Sequence, residues 1–435
     1  MHILIITHYF PPLNEIASIR LFCFAKYWEQ NGVRVSVLTT KKSAPADLSY
    51  QKDISPSIAI YELEYRRKFR FLNIASEKKT SPLSSVELRP KTSWRALLKR
   101  VGRHIYYGLG LSQIEHHNWV KVAAEKGIQI SQEENITHIF SSFGPSQSHV
   151  IASRIISKIS NTAIWVADYR DLWSQNHIYS TKGIFNLIEK AIERKVLRRA
   201  KLITTVSEPL RIALLNLHSD KQVMTIYNGF DPADFPSTIT QARAKKRQTP
   251  IKIAYLGRIY PGFRDPSPLF QAIRELELAD KLESGSLLIQ FYGKFMGNLE
   301  ALIAKYNVTQ WVEVVGQVDY SESLRIQRDC DWLLFLESSR REAAGVLPGK
   351  LFEYIMSRTP ILGIGIDPST SAGELIIESN TGLALGNNIA TIKNALLTSV
   401  LSSNHTYSLN ENFMRKYSRK VQAEELLAVL KKIGH

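Results

Sequence analysis

The sequence predicts an α/β protein of two doubly wound domains, each a parallel sheet with helices on both faces. Three observations predict it. At 435 residues the chain exceeds what one hydrophobic core usually serves. Short β-rich runs alternate with helical patterns from the first residues. That rhythm breaks once, at a proline-containing basic stretch, and then resumes.

The first series opens with a strand at Ile3–Thr7 and an amphipathic helix at Ile19–Gln30. Asn31-Gly32 stops that helix and Val33–Thr39 is a second strand. Strand, helix and strand within about forty residues make a parallel crossover unit. Further strands are expected at Thr137–Phe140, Ala163–Ala167 and Leu202–Val206. From Asp231 to Pro250 the chain holds three prolines and the cations Arg243, Lys245, Lys246 and Arg247, which reads as a linker. A second series follows, with strands at Ile251–Leu256, Leu287–Tyr292, Val312–Val315, Trp332–Leu336 and Pro360–Ile364. The expected domains are 1–240 and 250–410, with a C-terminal helix over 411–435. Doubly wound sheets bind ligands outside the carboxyl ends of their strands, so a ligand is expected in the cleft between the domains.

Composition narrows the class. Apolar residues are 44% and charged residues 22%, ordinary for a globular protein. Cys23 and Cys330 are too few for a disulfide framework, and a reducing cytoplasm fits best. No apolar run reaches the roughly 18–20 residues of a membrane-spanning helix. Ile3 to Ile6 lacks the basic flank of a signal peptide and reads as a buried strand.

The net charge of +16 is uneven. Between Tyr61 and Arg103, twelve Lys or Arg face four acids, a net +8. Within this insertion, about 61–111, Leu97, Leu98, Val101 and Ile105 recur at helical spacing among Arg95, Lys99, Arg100 and Arg103. A basic amphipathic helix of this kind suits an anionic membrane interface. A solvated basic face over the domain core would give the same pattern.

Several motifs fail on inspection. Gly345 to Lys350 is a residue too short for a P-loop, and Leu351 stands where a metal-binding hydroxyl is needed. No G-x-G-x-x-G follows a strand, against a nicotinamide or flavin enzyme. Eleven histidines show no zinc spacing, and the adjacent His116-His117 cannot face one ligand from one helix side.

Two segments carry chemistry. After Ile251–Leu256 comes Gly257-Arg258-Ile259-Tyr260-Pro261-Gly262-Phe263-Arg264-Asp265-Pro266. Gly257 lets the backbone approach a ligand, and Arg258 and Arg264 are placed to flank a diphosphate. The second is Gly345-Val346-Leu347-Pro348-Gly349-Lys350-Leu351-Phe352-Glu353-Tyr354, a Gly/Pro loop leading into a helix. Such a loop offers N–H donors to an anion, and Lys350 adds a full charge. Glu353 can accept two hydrogen bonds from vicinal ribose hydroxyls, or serve as a helix-capping acid.

These segments, with Asn228-Gly229-Phe230-Asp231, resemble glycosyltransferase family 4. Asp168-Tyr169-Arg170-Asp171-Leu172-Trp173 looks like the Asp-aromatic-Arg-Asp signature of one branch, and Tyr9-Phe10-Pro11-Pro12 and Thr204–Pro209 fit as well. The similarity spans the chain, with Tyr61–Gly110 least covered. It implies the GT-B fold, two Rossmann-like domains, and retaining transfer of a sugar from a nucleotide donor without a metal or cofactor. In such enzymes the carboxylate matching Glu353 holds the ribose, and cations matching Arg258 and Lys350 or Arg264 steady the diphosphate. Gly257, Leu347 and Gly349 complete the expected donor site. Asp168, Arg170, Asp171 and His149 are the catalytic candidates in the first domain, although Asp168 with Arg170 and Asp171 could instead form a buried ion pair that shapes the loop.

Two departures bear on sugar identity. The first member of the family's glutamate pair falls at Gly345, with Glu342 out of register, and the glycine pair after the N-terminal prolines is Asn14-Glu15. The D-x-D metal site of the other large fold for this chemistry, GT-A, ends a strand, whereas Asp329-Cys330-Asp331 precedes one. The expected partners are a nucleotide-sugar donor, a glycan or lipid-linked acceptor of the cell envelope and an anionic membrane surface, not nucleic acid. The rivals are a nucleotide-sugar epimerase, a glycogen-synthase-like polymerase, or a non-catalytic module that binds sugar nucleotide.

Overall fold

The computed structural model describes residues 1–13, 16–42, 54–65, 117–159, 163–175, 184–234, 249–259, 264–293, 297–337, 347–402 and 408–433. The expected helix from Trp94 and most of the basic insertion lie outside the described residues. So do Asn14-Glu15, residues 235–248 of the linker, Glu342 and Gly345. The chain forms two compact units, Met1–Ile226 with Ala423–His435, and Tyr227–Gln422.

The first unit runs β1 (His2–Ile6), α1 (Ile16–Gln30), β2 (Arg34–Thr40), β3 (Ala59–Leu63), α2 (His117–Glu133), β4 (His138–Ser142) and α3 (Gln147–Lys158). It continues through β5 (Ile164–Tyr169), α4 (Ile184–Leu197), β6 (Leu202–Thr205), α5 (Glu208–Leu217) and β7 (Gln222–Thr225). All pairings are parallel, in the order β3-β2-β1-β4-β5-β6-β7. Strand alternation divides the core. Leu4, Ile6, Ile139 and Trp165 pack with Trp119, Ile151 and Ile155 from α2 and α3. Phe140 points to the other face, meeting Phe24 and Trp28 of α1 at 5.6 and 5.4 Å between ring centres. Both faces are covered, so β1, β4 and β6 are buried along their whole length.

The second unit runs β8 (Ile251–Leu256), α6 (Ser267–Leu278), β9 (Leu287–Tyr292), α7 (Leu299–Tyr306), β10 (Val312–Gly316), α8 (Tyr320–Asp329) and β11 (Trp332–Leu336). Then come α9 (Gly349–Met356), β12 (Ile361–Ile364), α10 (Ser371–Glu378), β13 (Gly382–Ala384), α11 (Ile389–Ala395) and α12 (Glu411–Met414). Its sheet is parallel, in the order β10-β9-β8-β11-β12-β13. Ile253, Tyr255, Leu334 and Leu336 enter one core layer, while Ala254, Leu256, Leu333 and Phe335 enter the other. The final helix, α13 (Arg419–Ile433), returns to the first unit. There the Trp28 indole N–H donates to the Ala423 carbonyl at 3.0 Å.

The sheets are larger than the sequence reading expected, with seven and six strands against five and five. The additional strands β3, β7 and β13 all lie at sheet edges. They are short and incompletely buried, so they lack the continuous apolar run that marks a central strand.

Each sheet reverses its strand order once, between β1 and β4 and between β8 and β11. A doubly wound sheet takes its ligand outside the carboxyl ends of the strands at that reversal. Gly257 directly follows β8 and Glu337 directly follows β11. Tyr9 follows β1 closely, and Phe143-Gly144 follows β4.

Candidate functional site

At the reversal of the second sheet the chain leaves β8 through Gly257 at φ +152°, a conformation that favours glycine. The Tyr354 hydroxyl, from α9, accepts the Leu256 N–H at 2.9 Å and fixes the strand end. Lys350, one helical turn earlier, donates from Nζ to the Leu256 carbonyl at 2.5 Å. Its ammonium lies 4.2 Å from the centre of the Tyr255 ring and 5.2 Å from that of Tyr354. These ring faces attract a cation. Burial, then the Arg264 charge, pushes the Lys350 pKa down to about 7, with Glu337 and Glu353 opposing.

Arg264 is half-buried and meets Glu337 at 3.5 Å. Arg258 is exposed, and its carbonyl accepts the Tyr255 hydroxyl at 2.8 Å. Leu347 is buried and its carbonyl accepts from the Asn228 amide at 3.4 Å. Gly349 is the first residue of α9.

Glu353 lies beyond the first turn of α9, whose cap position, Pro348, offers no side-chain hydrogen bond. The capping alternative therefore fails. Burial, then the Asp234 charge, pushes the Glu353 carboxyl up to about 7, against a hydrogen bond from Gln327 and the charges of Lys350 and Arg419. A carboxylate and an ammonium one turn apart on one helix, both drawn toward neutrality, can each gain charge when a ligand supplies a partner.

In the first unit Asp168 is fully buried near the end of β5. Its carboxylate accepts from Arg20 at 3.1 Å, Thr204 at 2.8 Å and Ser142 at 2.9 Å. Burial alone would raise its pKa, but Arg20 and the two hydroxyls outweigh it and hold the group ionised. Asp168 is thus in a buried ion pair, but with Arg20 of α1 rather than with Arg170, whose guanidinium turns to the Phe143 carbonyl.

Arg170 donates to the Phe143 carbonyl at 2.6 Å, and its guanidinium lies 5.1 Å from the Tyr9 ring centre. Gly144, at φ +103°, makes room for that guanidinium. Asp171 is exposed. His149 is fully buried: its Nδ1 shares a 2.7 Å hydrogen bond with Ser141 Oγ, which also accepts from the Trp165 indole at 2.8 Å. Burial pushes the His149 pKa down to about 4, so the ring is neutral. It packs 4.8 Å from the Tyr169 ring, beneath the loop that carries Arg170. The structure thus gathers Arg170 and Asp171 at the first sheet's carboxyl edge, with Asp168 and His149 in the core below.

Glu193 of α4, which positions the loop carrying Arg170 and Asp171, was missed by sequence reasoning. Its buried carboxylate accepts the Tyr169 hydroxyl at 2.8 Å and the Ser174 N–H at 3.0 Å, holding the 169–174 loop at both ends. Beside Lys350, Tyr255 and Glu337 were missed, and Tyr354 was read only as part of its run, without a role. Only Tyr354 carried a signal, its i+4 spacing from Lys350. The Asp329 and Asp331 carboxylates are engaged separately, with Arg325 at 3.0 Å and with the Lys252 N–H at 2.8 Å.

No family model and no curated protein sequence matches the chain. Solved structures do. The lipopolysaccharide outer core galactosyltransferase WaaB is 12% identical with a TM-score of 0.58, over 99% of this chain and 100% of that one. An E. coli trehalose-6-phosphate protein bound with UDP-2-fluoro glucose is 11% identical with a TM-score of 0.60, over 99% of each chain. The UDP-GlcNAc 2-epimerase from Methanocaldococcus jannaschii is 12% identical with a TM-score of 0.50, over 99% and 100%. At such low identity these likenesses speak to architecture, and with the two doubly wound sheets they make this a two-domain, Rossmann-like GT-B fold.

Proposed function

We propose that the protein is a retaining glycosyltransferase of the family 4 type, moving a sugar from a nucleotide donor to a glycan acceptor, lipid-linked, in building a cell-envelope polysaccharide. The observation that carries this reading is the meeting of Gly257, Arg264, Lys350 and Glu353 around the strand reversal of the second sheet. Glu353 would bind the ribose hydroxyls. Lys350, Arg258 and Arg264 would bind the diphosphate.

In the reaction, the bond from the anomeric carbon to the diphosphate oxygen breaks, and its electron pair leaves with the nucleoside diphosphate. The acceptor hydroxyl oxygen bonds to the same face, and its proton passes to the departing diphosphate oxygen. The three cations favour the charge that develops on that oxygen, which lowers the barrier. Arg170 and Asp171 are the proposed acceptor-side groups, positioned by Asp168 and by His149 below. The likeness to a lipopolysaccharide galactosyltransferase supports an envelope acceptor. Two buried free cysteines suit a cytoplasmic setting. No described helix is long and apolar enough to cross a membrane.

A thermal-shift screen of nucleotide sugars tests the reading, since ligand at 100 times its Kd stabilises the folded state by about 2.7 kcal/mol. One nucleotide sugar should raise the melting temperature, and the Lys350→Met/Glu353→Gln variant should not respond. A screen with no response would overturn the reading. The epimerase alternative rests on the shared fold and is separated by products. A transferase releases nucleoside diphosphate only with acceptor, whereas an epimerase converts the donor alone and incorporates solvent deuterium.

A further inference from the structure

Helix α4 is amphipathic with its apolar side turned outward. Phe185, Leu187, Ile188 and Ile192 are 44, 66, 50 and 48% exposed, four of the twelve large hydrophobics exposed among the described residues. Single exposed apolar residues are ordinary, but a cluster on one face marks a contact surface. At 100° per residue, Ile188, Ile192 and Phe185 share one stripe, with Leu187 across Ala191 from it. The inward side is set by Leu197 and Glu193, both buried.

The charges of the helix are sorted the same way. Glu193 is committed to Tyr169 and Ser174, and Glu189 accepts the Trp173 indole N–H at 3.2 Å. Both acids are therefore spent on the protein itself. The exposed charges at and just beyond the helix end are Arg194, Lys195, Arg198, Arg199 and Lys201, all positive. Arg194 and Arg199 also donate to the Leu217 and Ile156 carbonyls at 3.1 Å, but they keep their charge. An exposed apolar stripe whose exposed charged neighbours are cations matches a surface that is apolar beneath and anionic above. A second copy of the same face would set these cations against each other.

From this placement we infer that α4 is a docking surface for an anionic lipid bilayer, lying in the headgroup region with Leu187, Ile188 and Ile192 inserted. The inference stands apart from the proposed reaction. It also differs from the basic insertion at 61–111, because it rests on another element.

Sedimentation of the full-length protein with phosphatidylglycerol or phosphatidylcholine vesicles tests it. The protein should partition to phosphatidylglycerol vesicles more strongly. Leu187→Ser/Ile188→Ser/Ile192→Ser should weaken that partitioning roughly tenfold or more, since each buried methylene matters. Lys195→Ser and Arg198→Ser should each weaken it about fivefold, and added salt should do the same. These side chains are exposed, so melting temperatures should hold. As a second reading, Ile188→Cys can be labelled selectively, because Cys23 and Cys330 are buried. Its environment-sensitive dye should shift to the blue with phosphatidylglycerol vesicles alone. The 61–111 segment is intact in every variant, so undiminished binding by the triple variant would overturn the inference. So would a dimer that the triple variant breaks while vesicle binding persists.

Discussion

The Lys350 ammonium rests against Gly257: a Cβ added to that glycine would lie 2.8 Å from Nζ. The strand end and the helix start are thus fitted to each other at a single missing methyl group. Gly257→Ala must displace the ammonium and also hold alanine at φ +152°. We expect a loss of about 1–3 kcal/mol in stability, read by urea unfolding, and weaker nucleotide binding by calorimetry. Unaltered binding would separate Lys350 from the donor site.

Glu353→Ala should leave the fold intact and weaken the nucleotide by about 1.5–3 kcal/mol, the worth of a hydrogen bond to a charged group. Calorimetric titration with the free nucleoside diphosphate reads this without a catalytic step. The corresponding nucleobase alone should bind both proteins equally.

Donor affinity should peak near pH 7. Below it, Glu353, raised to about 7, takes a proton and loses acceptor strength; above it, Lys350, lowered to about 7, loses its charge. The signs for stability follow the same directions. The Glu353 contribution is present below its unfolded value of 4.5 and is lost as pH rises through about 7. The Lys350 contribution is present above 10.5 and is lost as pH falls toward about 7. Without ligand, both penalise the fold near neutrality, where a nucleotide relieves them. Affinity that changes in one direction only from pH 5.5 to 9 would contradict this.

Arg20→Met should destabilise the first unit by about 3–5 kcal/mol, because it leaves the Asp168 charge buried without its partner. Arg20→Met with Asp168→Leu should recover most of that loss. Since the Asp168 pKa is lowered in the folded state, its contribution is present above 3.8 and is lost as pH falls below that value. Chemical denaturation at several pH values reads both effects.

Turnover should survive EDTA, because Arg258, Arg264 and Lys350 supply the positive charge that a divalent ion would otherwise bring to the diphosphate. Activity abolished by EDTA and restored by Mn²⁺ would redirect attention to Asp329 and Asp331.

The central strands were legible because burial on both faces leaves a run such as Ile3-Leu4-Ile5-Ile6 with nothing polar in it. The edge strand Ala59–Leu63 was not, since its alternate residues are exposed and include Glu62. Lys350 and Glu353 could be read from a loop-to-helix pattern confined to ten residues. Arg20 could not: it lies 148 residues from Asp168 in sequence, and on α1 it looks like any helix cation. The outward apolar stripe of α4 escaped notice for a related reason. Hydrophobic periodicity shows that a helix has an apolar face but not which way that face points.

The return of α13 to the first unit has a consequence for synthesis. The second unit is one uninterrupted stretch, whereas the first waits for a segment translated after it. At about 5–20 residues per second, the ribosome needs roughly 10–40 s to cross the intervening length of about 200 residues. Over that interval the nascent first sheet exists without the helix whose Ala423 carbonyl accepts the Trp28 indole N–H. The order of translation and the order of completion are therefore inverted, and a holding chaperone would find its target in the half that emerged first.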